Sequence, residues 1–388
     1  MAQSSEQQFL TLPSEAATIE RQRDPFPWFR ERHADAPIRY DSRRRTWDVF
    51  GYDEVKRVLG DPERFTSEGS MATGGDLDII GISMINADPP RHTRLRSMVE
   101  PYFQPNAVSD LGSEIERTAN DLLDAAGREM DLVEEFAYPL PVLIIAELLG
   151  IPTEDRAQFR EWSIELVGDT DVADPTRVDT TRAEEIEGEL GIYFTELIEE
   201  KKSNPGDDLL TTLLEEDLSE WELLGFCALL LVAGNITTTN LITNAVRSFD
   251  EYGGRAPIRE NLQPAIRETI RYRSPVQVVA RYATDDTTIA GETIEAGDHV
   301  HVWLGAANHD PSVFESPAEF RLDRHGSHVG FGHGVHYCLG AHLARLEARV
   351  AIATLYDRYP ELEVVGEDHP PVTSSFLHGL RSLPLRLE

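Results

Sequence analysis

Lysine is almost absent from this chain. Lys56, Lys201 and Lys202 are its only lysines, so nearly all of the 36 Lys+Arg residues are arginine. Cysteine is as scarce, and Cys227 and Cys338 alone cannot make a disulfide framework. There is no run of 18 or more apolar residues, which argues against a membrane-spanning helix. The first residues, Met1 to Gln8, are polar and lack the basic flank of a secretory signal, so the expected location is cytoplasmic. Basic patches are missing too. Against 69 Asp+Glu the formal net charge is −33, which excludes nucleic acid as a partner because phosphates would be repelled.

What is present suits a globular enzyme: 40% of residues are hydrophobic and 8% aromatic. At low salt so acidic a surface repels itself. At molar salt the Debye length falls to about 3 Å and the repulsion largely disappears. The composition therefore predicts a salt-loaded, halophilic cytoplasm.

Residues 1–23 read as a polar leader and 24–388 as one domain, mainly α with small β-sheets. Two strands are expected at 37–41 and 46–50, joined by a charged turn, followed by a short helix at 52–59. Residues 67–85 read as a long loop presenting apolar side chains. Apolar residues recur at three- and four-residue intervals over 108–126, 140–149, 153–166 and 182–202, which predicts helices. Residues 217–247 read as one helix of about 30 residues, long enough to cross a domain at about 1.5 Å per residue. Strands follow at 288–294 and 299–303, then a last helix over 339–357 and a strand-like tail over 374–387.

The strongest chemical signal is Phe331-Gly332-His333-Gly334-Val335-His336-Tyr337-Cys338-Leu339-Gly340. Glycines at 332, 334 and 340 let the backbone turn tightly and approach a flat ligand closely. Cys338 stands just before the last helix, where the helix dipole favours a thiolate. A thiolate can ligate iron. A buried, inert cysteine is the plain alternative, and the glycine spacing argues against it. The crowd of His328, His333, His336, Cys338 and His342 fits no common zinc spacing.

These ten residues resemble the cysteine loop of the cytochrome P450 family. Asp24 to Leu387 follow that family's order of motifs. The resemblance implies a triangular helical fold with a long helix over a haem b, held by Cys338 as iron ligand and contacted by Phe331, Gly332 and Gly340. Glu268-Thr-Ile-Arg271 resembles the family's Glu-x-x-Arg motif, whose third member would be Arg324. By motif position, His92, Arg96, Arg281 and His336 would meet the haem propionates, since buried carboxylates demand such partners.

The oxygen-activating segment departs from the pattern. In Ala233-Gly-Asn-Ile-Thr-Thr-Thr239, Thr237 falls at the family's threonine, but Ile236 replaces the acid and cannot pass a proton. Asn235, Thr238 or ordered water are the candidate substitutes. Ile80, Ile82, Met84, Ala233, Val278, Val279 and Phe376 are expected around an apolar small-molecule pocket. The resemblance implies a monooxygenase that inserts one oxygen atom from dioxygen, with electrons from a ferredoxin or flavin-type donor docking near Arg94 and Arg345. Two other readings stay open: a haem-thiolate peroxygenase or other non-monooxygenase chemistry, suggested by Ile236, and a haem-binding sensor without turnover.

Overall fold

The computed structural model describes residues 12–69, 81–166, 180–253 and 256–387. Ten helices of eight or more residues stand among them: α1 (Phe26–Asp35), α2 (Tyr52–Leu59), α3 (Arg91–Val99), α4 (Gly112–Asp124), α5 (Pro139–Leu149), α6 (Arg156–Leu166), α7 (Thr180–Ser203), α8 (Glu220–Glu251), α9 (Leu262–Tyr272) and α10 (Ala341–Arg358). The strands are short: β1 (Ile38–Asp41), β2 (Thr46–Val49), β3 (Phe65–Thr66), β4 (Glu129–Asp131), β5 (Val279–Ala283), β6 (Thr287–Ile289), β7 (Glu292–Ile294), β8 (His299–Val302), β9 (Glu363–Val364) and β10 (Pro384–Arg386). Mainly α with small sheets is therefore the observed class.

The expected 217–247 helix is α8, 32 residues long, and it organises the molecule. It begins at a capping box. The Ser219 hydroxyl accepts from the Glu222 N–H while the Glu222 carboxylate accepts from the Ser219 N–H, satisfying two otherwise orphaned donors. α8 packs against α5, α9 and α10, and α10 packs in turn on α4. Ile115, Leu123, Phe136, Ile145, Leu231, Ile242 and Ile352 meet in this main core. Each such side chain, fully buried, contributes about 1.5–3 kcal/mol. By length and hydropathy α8 passes for a membrane span, but 72% of its apolar window is buried inside the protein, as in a core helix.

The largest sheet has the order β1-β2-β8-β5-β3, with β2 and β8 parallel and the other neighbours antiparallel. It covers a second core containing Val49, Val55, Val300 and Val302. A third cluster gathers Trp28, Phe29, Phe50, Val278 and Trp303.

Three expectations need correction. Residues 108–126 do not form one helix: a short helix, Pro105–Ser109, precedes α4, and the Ser109 hydroxyl donates to the Asn106 carbonyl at 2.7 Å, a local bond that competes with helix continuation. The strand at 288–294 is a hairpin, β6–β7, turned by Ala290 and Gly291 at φ 49° and 91°. Of the tail, only β10 is a strand; the Ser374 hydroxyl instead accepts the N–H groups of Phe376 and Leu377. In the described part of the polar leader, Ala16 is buried in the third cluster, and Arg21 pairs with Glu31 at 2.9 Å.

Candidate active site

The cysteine loop is fixed by backbone contacts. The Cys338 N–H donates to the Phe331 carbonyl at 2.9 Å, and the Gly332 N–H to that of Val329 at 2.8 Å. Gly334 is required here twice over. Its φ is +72°, and a Cβ would lie 2.3 Å from the Leu59 carbonyl oxygen. Gly332 likewise has φ +75°. Gly340 does not: its φ of −81° suits any residue, so the tight-turn reason fails there. What distinguishes it is that a Cβ would meet nothing within 4 Å, leaving the backbone open to a close neighbour. Phe331 packs beneath the Arg345 guanidinium, 4.4 Å from its ring centre.

Cys338 precedes the first residue of α10, as expected, but its thiol is not acidified. Burial pushes its pKa up and outweighs the Gly340 N–H and the Arg345 and Arg96 charges, which all pull down.

Beside the loop, four cationic or imidazole side chains converge from three elements. His92, on α3, lies with its ring centre 4.3 Å from that of His336. Ser67 Oγ meets His336 Nε2 at 2.8 Å. Burial, then the Arg281 charge, pushes His336 down to about 3, and burial with the Arg96 charge lowers His92, so both imidazoles are neutral. Arg281, on β5, donates to the Ala280 carbonyl at 2.6 Å and has no ion pair among the described residues. Burial pulls it down to about 10. Arg96 donates to the carbonyls of Val335 (3.1 Å) and Tyr337 (2.7 Å), clamping the cysteine loop to α3. Sequence reasoning missed Asp88, which joins Thr66 and Ser67 to this cluster; burial raises its pKa, but the hydrogen bonds from Thr66 and Ser67 outweigh it and the net shift is down.

Along its length, α8 changes character. Ala233 is exposed and Thr237 partly so, while Leu229, Leu230 and Leu231 before them and Thr238 and Thr239 after them are buried. This stretch of the helix is less enclosed than its flanks. Gly234 lets α5 come close, since a Cβ would sit 3.0 Å from Ile145 Cδ1. Thr237 Oγ1 donates to the Ala233 carbonyl at 2.8 Å, a bond that bends helices. Asn235 points elsewhere: its amide donates to Ser163 on α6, so it ties two helices and does not reach Thr237.

Of the expected pocket residues, Ile80 lies outside the described residues. Ile82 and Met84 are half-buried ahead of α3, and Val279 and Phe376 are half-buried on β5 and the tail. Val278, one residue ahead of β5, is not a pocket residue: it is 1% exposed, within the cluster of Trp28, Phe50 and Trp303, against which Phe376 also packs. The expected Glu268–Arg271–Arg324 group is assembled. Arg271 grips Glu268 through Nη2 (2.7 Å) and Nε (3.0 Å), and Arg324 Nε reaches the same carboxylate at 3.1 Å.

One buried acid escaped notice altogether. Glu347 is on α10 and 1% exposed; burial raises its pKa to about 8, against a smaller pull down from the Thr238 hydroxyl of α8. A signal for it exists: Leu343, Glu347, Ala351 and Leu355 repeat every fourth residue, an apolar stripe with one acid in it.

Comparison with known proteins agrees with this geometry. A family model described as cytochrome P450 matches residues 260–387. Cytochrome P450 109 of Bacillus spizizenii is 40% identical over 393 residues, covering 97% of this chain and 95% of its own. Cytochrome P450 119 of Sulfolobus acidocaldarius is 38% identical, covering 94% and 99%. The crystal structure of CYP109E1 from Bacillus megaterium in complex with testosterone superposes with a TM-score of 0.89 at 39% identity, covering 96% of this chain and all of that one. A glycine-turned cysteine loop ahead of a helix, a long helix that becomes exposed at Ala233 and this breadth of likeness lead to one assignment: the chain belongs to the cytochrome P450 family of monooxygenases.

Proposed function

We propose that this chain inserts one oxygen atom from dioxygen into an apolar small molecule, with Cys338 as the ligand to a haem iron. The observation that carries this reading is Arg281, a buried guanidinium in no ion pair among the described residues, whose burial the charge of Asp88 offsets only in part, beside two neutral imidazoles. A lone buried cation is costly, and the two propionates of a haem would relieve it. Gly340 and Ala233 fit the same group, because each leaves backbone open where a flat ring would lie.

When bound, the haem supplies the iron chemistry of oxygen activation, and the protein supplies the rest. Arg281, His92 and His336 would hold the propionates. Arg96 acts at one remove, by anchoring the loop that carries Cys338. Thr237, on the less enclosed stretch of α8, would hydrogen-bond the reacting oxygen species and order water. The half-buried Ile82, Met84, Val279 and Phe376 would orient an apolar skeleton with few polar contacts. CYP109E1 has been solved with testosterone and with corticosterone, so a steroid is a fitting probe for this chain. Haem-loaded protein, reduced under carbon monoxide, is expected to show the thiolate band, and Cys338→Ser to lose it. Testosterone should shift the resting spin state. A reduced spectrum without the thiolate band would overturn the assignment of Cys338, and the absence of any spin shift with steroids would overturn the substrate class.

The electron donor, ferredoxin or flavin-type, would dock on the face behind Cys338. Arg267, Arg345, Arg349, His342 and Tyr337 line a groove there. Arg94 is not free for this role: it pairs with Glu222 and donates to the Asp217 carbonyl at 3.0 Å. Arg349→Glu should slow reduction by the donor at low salt and have less effect at high salt, where charge steering is screened. Equal rates at low salt would remove the groove from consideration. A high-salt cytoplasm remains the setting that the net charge of −33 supports.

A further inference from the structure

We propose that Gln22 is a specificity-determining residue that acts at one remove, by setting the tail turn 374–377 and with it the Phe376 ring that would meet the substrate. This rests on the monooxygenase reading above and adds what fixes one wall of its pocket. The turn is folded by Ser374, whose hydroxyl accepts the N–H groups of Phe376 at 3.3 Å and Leu377 at 3.1 Å. One side of it is sewn to the approach to β5: the Gln277 N–H donates to the Phe376 carbonyl at 2.7 Å, and the His378 N–H to the Pro275 carbonyl at 2.8 Å. The other side belongs to the leader. One end of the Gln22 amide lies 3.1 Å from the Ser374 carbonyl oxygen and 3.3 Å from that of Val372. Two acceptors call for the amide nitrogen at that end, and it donates to both. An oxygen there would face the two carbonyls and gain a single N–H, that of Ser374, at 3.3 Å.

The local fold of the leader aims Gln22 at the turn. It stands on a short helix, Ile19–Arg23, started by Thr18, whose hydroxyl accepts the Arg21 N–H at 3.3 Å. Successive side chains leave this helix in different directions. Arg21 pairs with Glu31 of α1 at 2.9 Å, Arg23 pairs with Asp368 ahead of the tail turn, and Gln22 reaches the turn itself. Both partner carboxylates are exposed, so the ion pairs fasten the leader only weakly, and the amide is the link that bears on residue 374. Between leader and tail the packing is open. A cavity of about 30 Å³, room for a water molecule, is lined by Leu12, Ala16, Gln22, Trp28, Gln277 and Ser374. A turn resting on such a space can shift without a clash, so hydrogen bonds and not packing set its height. Phe376 carries that setting to the substrate. It is half-buried and packs against the cluster of Trp28, Phe29 and Val278, which leaves part of its side chain uncovered.

The test compares Gln22→Met, Gln22→Glu, Phe376→Ala and the double variant Gln22→Met/Phe376→Ala with the wild type. Methionine keeps the length of the side chain and removes its hydrogen bonds. Glutamate keeps the shape and sets an oxygen against the two carbonyls. Hydrogen exchange needs neither substrate nor turnover: the Phe376 and Leu377 amides should exchange roughly 10-fold faster in Gln22→Met, with the Cys338 amide unchanged. In the holoenzyme, Gln22→Met and Gln22→Glu should weaken testosterone binding, read from the spin shift, roughly 3- to 10-fold, the effect of one or two lost hydrogen bonds. With dioxygen and donor, the ratio of hydroxylated testosterone products should change as well, which a loss of overall stability does not cause. Gln22→Met should add nothing to Phe376→Ala in either readout, because both act through one ring. If Gln22→Met does not fold, Ser374→Ala loosens the same turn from within and should show the same changes. A wild type without the thiolate band or without products marks failure of the monooxygenase reading, and the exchange rates still decide whether Gln22 holds the turn. Unchanged exchange at Phe376 and Leu377, wild-type binding and product ratio in the Gln22 variants, or additive effects of Gln22→Met and Phe376→Ala would overturn the proposal.

Discussion

Two buried glutamates sit in neighbouring parts of this molecule under opposite conditions. Glu268, on α9, is 4% exposed and lies between the guanidinium groups of Arg271 and Arg324. Glu347, on α10, is 1% exposed and meets a single hydroxyl. The residue type and the degree of burial are nearly the same, so neither decides what the acid does. The neighbours do. At Glu268 two cations hold the carboxylate, and Arg271 goes on to donate to the carbonyls of Asn308 and Pro317, both at 2.9 Å, pinning the connection that leads into the cysteine loop. That region is a clamp. At Glu347 no cation acts, and burial raises the acid to about 8.

The largest test of this contrast is Glu268→Gln. It leaves Arg271 and Arg324 buried without their counter-charge, so it should cost about 3–5 kcal/mol in a denaturant titration. A loss under about 1 kcal/mol would show that the surrounding carbonyls suffice, and the distinction between the two regions would weaken.

Glu347→Gln should behave in the opposite sense. The folded-state pKa of Glu347 is raised from 4.5 to about 8. A raised pKa contributes stability that is fully present below the unfolded value and is lost as pH rises through the folded one. Wild-type stability should therefore fall between about pH 4.5 and 8, and the glutamine variant should lack that component of the slope. Thermal melts of both proteins across the window would measure it. Parallel curves would mean that burial does not raise Glu347 in the fold.

The smallest effect separates both sites from the surface. Potassium chloride should raise the melting temperature of the wild type by screening the acidic exterior, while the stability difference made by Glu268→Gln should change little, because a buried pair is poorly screened. A melting temperature that is flat in salt would remove the case for a saline setting.

How much could be read in advance follows the range of the interactions. The cysteine loop was legible because its geometry is local: glycines at 332 and 334 and a cysteine before a helix mark it in ten consecutive residues. The long α8 was legible by its periodicity. Asn235 was misjudged because which face of α8 meets α6 is set by packing, and Ser163 lies 72 residues away. Val278 was misjudged because a run of apolar residues does not say which side chain faces a cavity. The burial of Ala16 was not legible because it depends on Trp28 and Trp303.

By itself, the order of residues determined the cysteine loop, the long helix α8, and the absence of an acid at position 236, since each depends on neighbours along the chain. Only the tertiary structure decided which buried acid is paired and which is alone. Arg324 is 56 residues from Glu268, and Thr238 reaches Glu347 from a different helix. The charge state of a buried group is set by whatever the fold brings within a few ångströms of it, and no local pattern encodes that.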